Sequence, residues 1–146
     1  MSQHHWQPTS PINAISFDCD ATLSTIEGIN ELAKYSPVAQ DVQQLTQQAI
    51  NETGLSPSLF DNRLNLLKPH LDDLTQLGQR YIDTLSQDLM SVIDIFHSLN
   101  KTLYILSAGM NPAVSILAEH LQVPTQNVFA VNLQFDEQGR YTNFDQ

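Results

Sequence analysis

Apolar positions along this chain change their period several times, and each change marks a predicted element. Ala14-Ile15-Ser16-Phe17 is a small apolar run broken by Asp18, which predicts a short buried strand. Ile26, Ile29, Leu32 and Ala33 then recur at helical spacing, so a short helix is expected over 27–35, capped by Ser24 or Thr25 and stopped near Ser36-Pro37. Val38, Val42, Leu45, Ala49 and Ile50 form a second stripe ending around Glu52-Thr53-Gly54, with Gly54 as its C-terminal cap. Ser56-Pro57 starts a third helix, which carries Leu59, Phe60, Leu64 and Leu67 to Lys68-Pro69. Proline must kink or end it there, and Leu71, Leu74 and Leu77 continue the spacing beyond. A longer helix is expected from Ser86 through Leu89, Val92, Ile93, Phe96 and Leu99 to a turn at Asn100-Lys101.

Thr102-Leu103-Tyr104-Ile105-Leu106 is apolar and β-prone, and the strand it predicts stops at Ser107-Ala108-Gly109. Pro112 opens a helix through Val114, Leu117, Ala118 and Leu121. Residues 128–135 read as a further strand, Asp136-Glu137-Gln138-Gly139 as a turn, and 140–144 as a returning strand. This order predicts an α/β domain with a Rossmann-like, largely parallel sheet and a helical insertion after its first strand. Residues 1–12 are a polar tail, 13–35 and 85–146 a partial α/β core, and 36–84 the helical insertion. Such sheets bind ligands at the carboxyl ends of their strands. Asp18-Cys19-Asp20 and Ser107-Ala108-Gly109 both fall at that edge, so two separated polar motifs point to one crevice.

Composition narrows the function classes. A chain of 146 residues suits one domain with a sizeable core. Its formal charge of −10 excludes a nucleic-acid footprint or an anionic membrane surface and repels phosphorylated substrates, so a phosphate site needs local positive charge or helix N-termini. With Cys19 as the single cysteine, no internal disulfide can form. No run approaches 18 apolar residues, and Met1 to Pro11 has neither a basic start nor an apolar segment. Neither a membrane span nor a signal peptide is expected, and the cytoplasm is the expected compartment. The oligomeric state is left open.

Two carboxylates at the end of a buried strand need a cation, a shared proton or a wet loop, because an unpartnered buried charge costs several kcal/mol. Asp18 could attack phosphorus to form an aspartyl-phosphate, with Asp20 protonating the leaving alkoxide. A hard ion such as Mg2+ would take oxygens from the Asp18 carboxylate and the Asp20 backbone carbonyl, on the expectation that an extended step sends both acids to one side. Thr22 and Ser107 offer hydroxyls, and the backbone amides after each strand offer donors, to phosphate oxygens. Taken alone, Asp-x-Asp is more often turn chemistry or a helix cap, and Ser-Ala-Gly more often a tight turn. Cys19 is expected to face away as a small core residue with a raised pKa. His4-His5-Trp6 could be a weak surface metal site, though adjacent histidines in a terminus more often bind nothing. His70, His97 and His120 fall in separate helical segments as surface or partly packed residues.

The combination is more specific. Phe17-Asp18-Cys19-Asp20-Ala21-Thr22 resembles the nucleophile motif of the haloacid dehalogenase superfamily, Asp-x-Asp-x-Thr at the end of the first strand. Glu27-Gly28-Ile29-Asn30-Glu31-Leu32-Ala33 resembles the segment that follows it in the phosphoserine phosphatases of that superfamily, which release L-serine from its O-phosphate with Mg2+. Asn62-Arg63-Leu64-Asn65-Leu66-Leu67 resembles their cap helix, and Leu106-Ser107-Ala108-Gly109 their second motif. Val123 to Ala130 and the hairpin up to Phe144-Asp145 resemble the stretch after it, so the resemblance covers nearly all of 15–145.

That resemblance implies Asp18 as nucleophile, Asp20 as general acid and base, Glu27 as partner of the substrate's ammonium and Arg63 of its carboxylate. It places Ser107, with Ala108, Gly109 and Thr22 beside it, on the phosphate, and Mg2+ on Asp18 and the Asp20 carbonyl. It makes 36–84 a cap, the partner a small phosphorylated amino acid, and the reaction the last step of serine biosynthesis. The charges agree, since a zwitterionic phosphoamino acid needs an anion, a cation and a phosphate cradle. Ala21 stands where the family has serine, Ala108 replaces a glycine, Asn111-Pro112 takes the place of an arginine and its neighbour, and 51–55 shortens a glycine-rich turn. The family continues into a balancing lysine and a metal-binding Gly-Asp-Gly loop, whereas only Gln146 follows Asp145 here, which predicts a truncated site. Two other readings stay open: another small-molecule phosphatase of the superfamily, and a non-catalytic remnant that binds phosphate or Mg2+ weakly.

Overall fold

The computed structural model describes residues 8–51 and 57–145. His4-His5-Trp6 and the expected cap at Gly54 lie outside them. β1 (Ala14–Phe17) pairs in parallel with β2 (Thr102–Asn111), β2 in parallel with β3 (Val128–Phe135), and β3 antiparallel with β4 (Tyr141–Phe144). The sheet order is β1-β2-β3-β4, which leaves one side of β1 without a strand among the described residues. The predicted largely parallel sheet is what forms, with β4 antiparallel at its edge.

Between β1 and β2 run α1 (Gly28–Ala33), α2 (Ala39–Asn51), α3 (Pro57–Leu67), α4 (Leu71–Asp83) and α5 (Leu89–Ser98), while α6 (Ala113–His120) links β2 to β3. Pro69 ends α3 rather than kinking it. His70 then caps α4: its Nδ1 accepts from the Asp72 amide at 3.2 Å, and Asp73 accepts from the His70 amide at 2.8 Å. His97 is half-buried against the Leu121 carbonyl and His120 is exposed, as expected.

Three predicted boundaries move. Ser24 and Thr25 do not cap α1, whose N-cap is Glu27, because both hydroxyls bond to Thr84 at the end of α4. α5 starts at Leu89 instead of Ser86, since the Ser86 amide is drawn to the Leu23 carbonyl and Asp88 takes a left-handed φ of 60°. β2 does not stop at Ser107. It runs to Asn111 through an irregularity, pairing Leu106 with Phe129 and resuming with Met110 opposite Val131, so Ser107, Ala108 and Gly109 form a bulge inside the strand.

The core joins the helical insertion to the sheet layer. Leu64, Leu74, Leu77 and Tyr81 are fully buried in one cluster with Ile93, Ile105, Val114, Leu117 and Leu121. Gly78 lets α4 press on α6, because a Cβ there would lie 2.7 Å from Ile116. On the opposite face of the sheet Leu106 and its ladder partner Phe129 are 50% and 54% exposed, while Leu103 and Ile105 are buried. Among the described residues no helix is long and apolar enough to cross a membrane.

Candidate active site

Asp18 leaves β1 with an extended backbone and an exposed side chain, whose carboxylate accepts from the Cys19 amide at 2.7 Å. The next step is not extended. A single helical turn over Cys19–Leu23 is interrupted at Asp20 (ψ 131°) and at Ala21, whose φ of 53° lies in the left-handed region that costs a non-glycine residue about 1 kcal/mol. The Ala21 amide holds that bend by donating to the Ile26 carbonyl at 3.1 Å. Asp20 therefore turns inward while Asp18 stays in solvent, a correction to the expectation that an extended step presents both alike. Cys19 is fully buried, and burial, with Asp20 and Asp18 beside it, pushes its thiol pKa up.

Asp20 is held on one oxygen. Its Oδ1 accepts from the Gly28 amide at 2.8 Å and from the Tyr81 hydroxyl at 2.6 Å. Its Oδ2 lies against the β2 bulge, 3.1 Å from where a Cβ on Gly109 would sit. In that bulge the Gly109 amide donates to Ser107 Oγ at 2.9 Å, a bond that leaves the Ser107 hydroxyl proton free to serve another acceptor. The turn after β1 and the bulge within β2 thus meet, as the single crevice expected for the two motifs requires. Burial raises the Asp20 pKa, opposed by the hydrogen bonds from Tyr81 and Gly28.

Arg63 and Glu27 enter the same electrostatic cluster. Arg63 is buried on α3 at 8% exposure; its Nε donates to the Leu59 carbonyl and its Nη1 to Thr46 Oγ1, each at 3.3 Å, with the Phe60 ring 5.5 Å from the guanidinium carbon. Thr46, itself buried, donates to the Val42 carbonyl at 2.9 Å and so aims its oxygen at the guanidinium. Burial lowers the Arg63 pKa, and the negative charges of Glu27 and Asp20 work against that. Glu27 is pushed up to about 7, chiefly by burial and then by Asp20, with Arg63 opposing and Asp18 adding to the rise. The opposite charges feel each other without closing into an ion pair among the described residues. Thr22 and Ala108 are exposed, and the Thr22 carbonyl accepts from Ser86 Oγ at 2.5 Å.

Sequence reading missed Tyr81, Thr46 and the need for Gly28. Tyr81 follows Leu74 and Leu77 at helical spacing and reads as one more core position; nothing local points its hydroxyl at an acid 61 residues away. Gly28 at a helix start is the one available signal: a Cβ there would lie 2.0 Å from the Tyr81 hydroxyl.

Mg2+ requires a near-octahedral oxygen shell. The Asp20 carboxylate is already tied on Oδ1 by Tyr81 and Gly28. Among the described residues no three His, Cys, Asp or Glu side chains gather as a metal site. The Asp18 carboxylate and the Asp20 carbonyl alone do not make one, so these residues do not fit the ion without further ligands.

No family model matches the chain. It is 31% identical over 134 residues to the phosphoserine phosphatase of Rattus norvegicus, an alignment covering 92% of this chain and 60% of that protein. It is 28% identical to the chloroplastic phosphoserine phosphatase of Arabidopsis thaliana, covering 92% of this chain and 46% of that one. Among solved structures, a phosphoserine phosphohydrolase-like protein from Francisella tularensis superposes with a TM-score of 0.81 at 19% identity, covering 92% of this chain and 65% of that one. A phospho-aspartyl intermediate analogue of phosphoserine phosphatase gives 0.79 at 22% identity, covering 93% and 64%. The fold is the haloacid-dehalogenase-like fold of those phosphatases, and the chain spans about 60% of the length of the mammalian relatives it matches.

Proposed function

We propose that this chain, similar in sequence to phosphoserine phosphatases and sharing their fold, carries the nucleophile and substrate-recognition side of a phosphomonoester hydrolase acting on O-phospho-L-serine. The observation that supports this most is the unclosed pair of Glu27 and Arg63 beside Asp20. An anion and a buried cation held apart suit the ammonium and carboxylate of an amino acid, while its phosphate reaches the strand-end crevice.

In this reading Asp18, exposed at the end of β1, attacks phosphorus, and the bond from phosphorus to the serine oxygen breaks. Asp20 gives its proton to the departing serine oxygen. Asp20 then takes a proton from water, whose oxygen attacks the aspartyl-phosphate and releases phosphate and Asp18. Ser107 and the bulge amides line the phosphate side. The similarity to phosphoserine phosphatases makes Mg2+ the expected cofactor and serine formation the expected place of the reaction; neither carries a step here.

Phosphate release from O-phospho-L-serine, measured with and without added Mg2+, is the test. Asp18→Asn is expected to abolish turnover and phosphoryl-enzyme formation, and Asp20→Asn to slow turnover about 10²- to 10⁴-fold while phosphate still binds. Arg63→Met is expected to cost phosphoserine turnover far more than turnover of a phosphomonoester lacking a carboxylate. Equal loss on both substrates would remove the amino-acid specificity and leave another small-molecule phosphatase.

A further inference from the structure

The geometry points to Tyr81 as a positioning residue that turns the Asp20 carboxylate, holding Oδ1 back and presenting Oδ2 to the crevice. This rests on the reading of Asp20 as general acid and base. Two donors from separate elements, the Gly28 amide at the start of α1 and the Tyr81 hydroxyl on α4, converge on Oδ1 at 2.8 and 2.6 Å. Two bonds to one oxygen fix the rotation of a carboxylate that one bond would leave free to swing. The other oxygen is then the one that faces the Gly109 bulge, where a proton would be given or taken.

The surrounding packing makes this arrangement rigid. Tyr81 is fully buried, and its hydroxyl occupies the space where any side chain at position 28 would begin, 2.0 Å from a Cβ there. α4 is held in place, since Gly78 rests on Ile116 and the Thr84 carbonyl accepts from the Ser24 and Thr25 hydroxyls and the Thr25 amide at its far end. A phenol also orients the carboxylate without bringing a positive charge that would hold the acid permanently ionised. Tyr81 thereby links the helical insertion to the strand-end turn that carries both acids.

Tyr81→Phe keeps the ring and removes only the hydroxyl. In the 146-residue chain at fixed pH, NMR is expected to show the Gly28 amide and the Asp20 side-chain carboxyl carbon shifting, while the amides of Ile93 and Leu117 in the core stay in place. Unmoved Gly28 and Asp20 resonances would overturn the assignment. In phosphoserine hydrolysis kcat is expected to fall about 10- to 100-fold with KM unchanged, and the loss to vanish when Asp20 is already Asn. The same loss on both backgrounds would make Tyr81 a packing residue and overturn the proposal. If the unsubstituted chain releases no phosphate, the phosphatase reading fails, and the NMR comparison still decides whether Tyr81 sets the Asp20 carboxylate.

Discussion

Glu27 is a carboxyl group whose folded environment disfavours its charge, because burial and the neighbouring Asp20 outweigh the pull of Arg63. Its pKa rises from 4.5 to about 7 on folding, so between those values the folded chain binds the proton that the unfolded chain has released. Stability from this group is full below about pH 4.5, falls as pH rises through the window, and levels off above about 7. That is the reverse of a salt-bridged carboxylate. Glu27→Gln is therefore expected to unfold at a higher temperature than the unsubstituted chain at pH 8 and to match it near pH 4, read by thermal denaturation across the range. A larger gain at pH 4 than at pH 8 would contradict the assignment. The same residue explains a cost that a binding site accepts: an anion kept ready for an ammonium is less stable empty than a neutral side chain would be.

The elements that place the site are a strand with a bulge and a helix packed without clearance. A regular β2 would keep Ser107, Ala108 and Gly109 in the ladder; the irregularity before Met110 takes them out of it and brings the bulge beside Asp20. α4 sets Tyr81 by lying close to α6, and Gly78 is what permits that approach. Gly78→Val would put branched carbon where Ile116 already stands at 2.7–2.9 Å from the first added atom. A destabilisation of about 1–3 kcal/mol is expected from overpacking, read as a lower denaturant midpoint. Because α4 would be pushed outward, the Gly28 amide resonance should move as well. An unchanged midpoint would show that α4 has slack, and the rigidity claimed for Tyr81 would go with it.

Across the whole molecule, parallel strands normally have both faces covered, yet Leu106 and Phe129 lie half open on the face opposite the buried Leu103 and Ile105, and among the described residues no strand pairs with one side of β1. Concentration-dependent self-association is expected in solution, and the pair Leu106→Lys and Phe129→Lys should reduce it, measured by sedimentation, with little change in unfolding midpoint. Strong unfolding by the double substitution would show that these side chains belong to the core. The amino-acid sequence by itself determined the strand at 14–17, the helical stripes through Val42, Leu64, Leu74 and Leu117, the β3–β4 hairpin and the placing of Asp18-Cys19-Asp20 directly after a strand. Apolar period and turn residues act over a few positions, and these features need nothing longer. Only the tertiary structure decided that β2 continues through Ser107, that Ala21 bends Asp20 inward, that Glu27 and Arg63 share a cluster with it, and that Tyr81 closes on its Oδ1. Those depend on contacts between residues dozens of positions apart, where packing and hydrogen-bond geometry, rather than local preference, set the outcome.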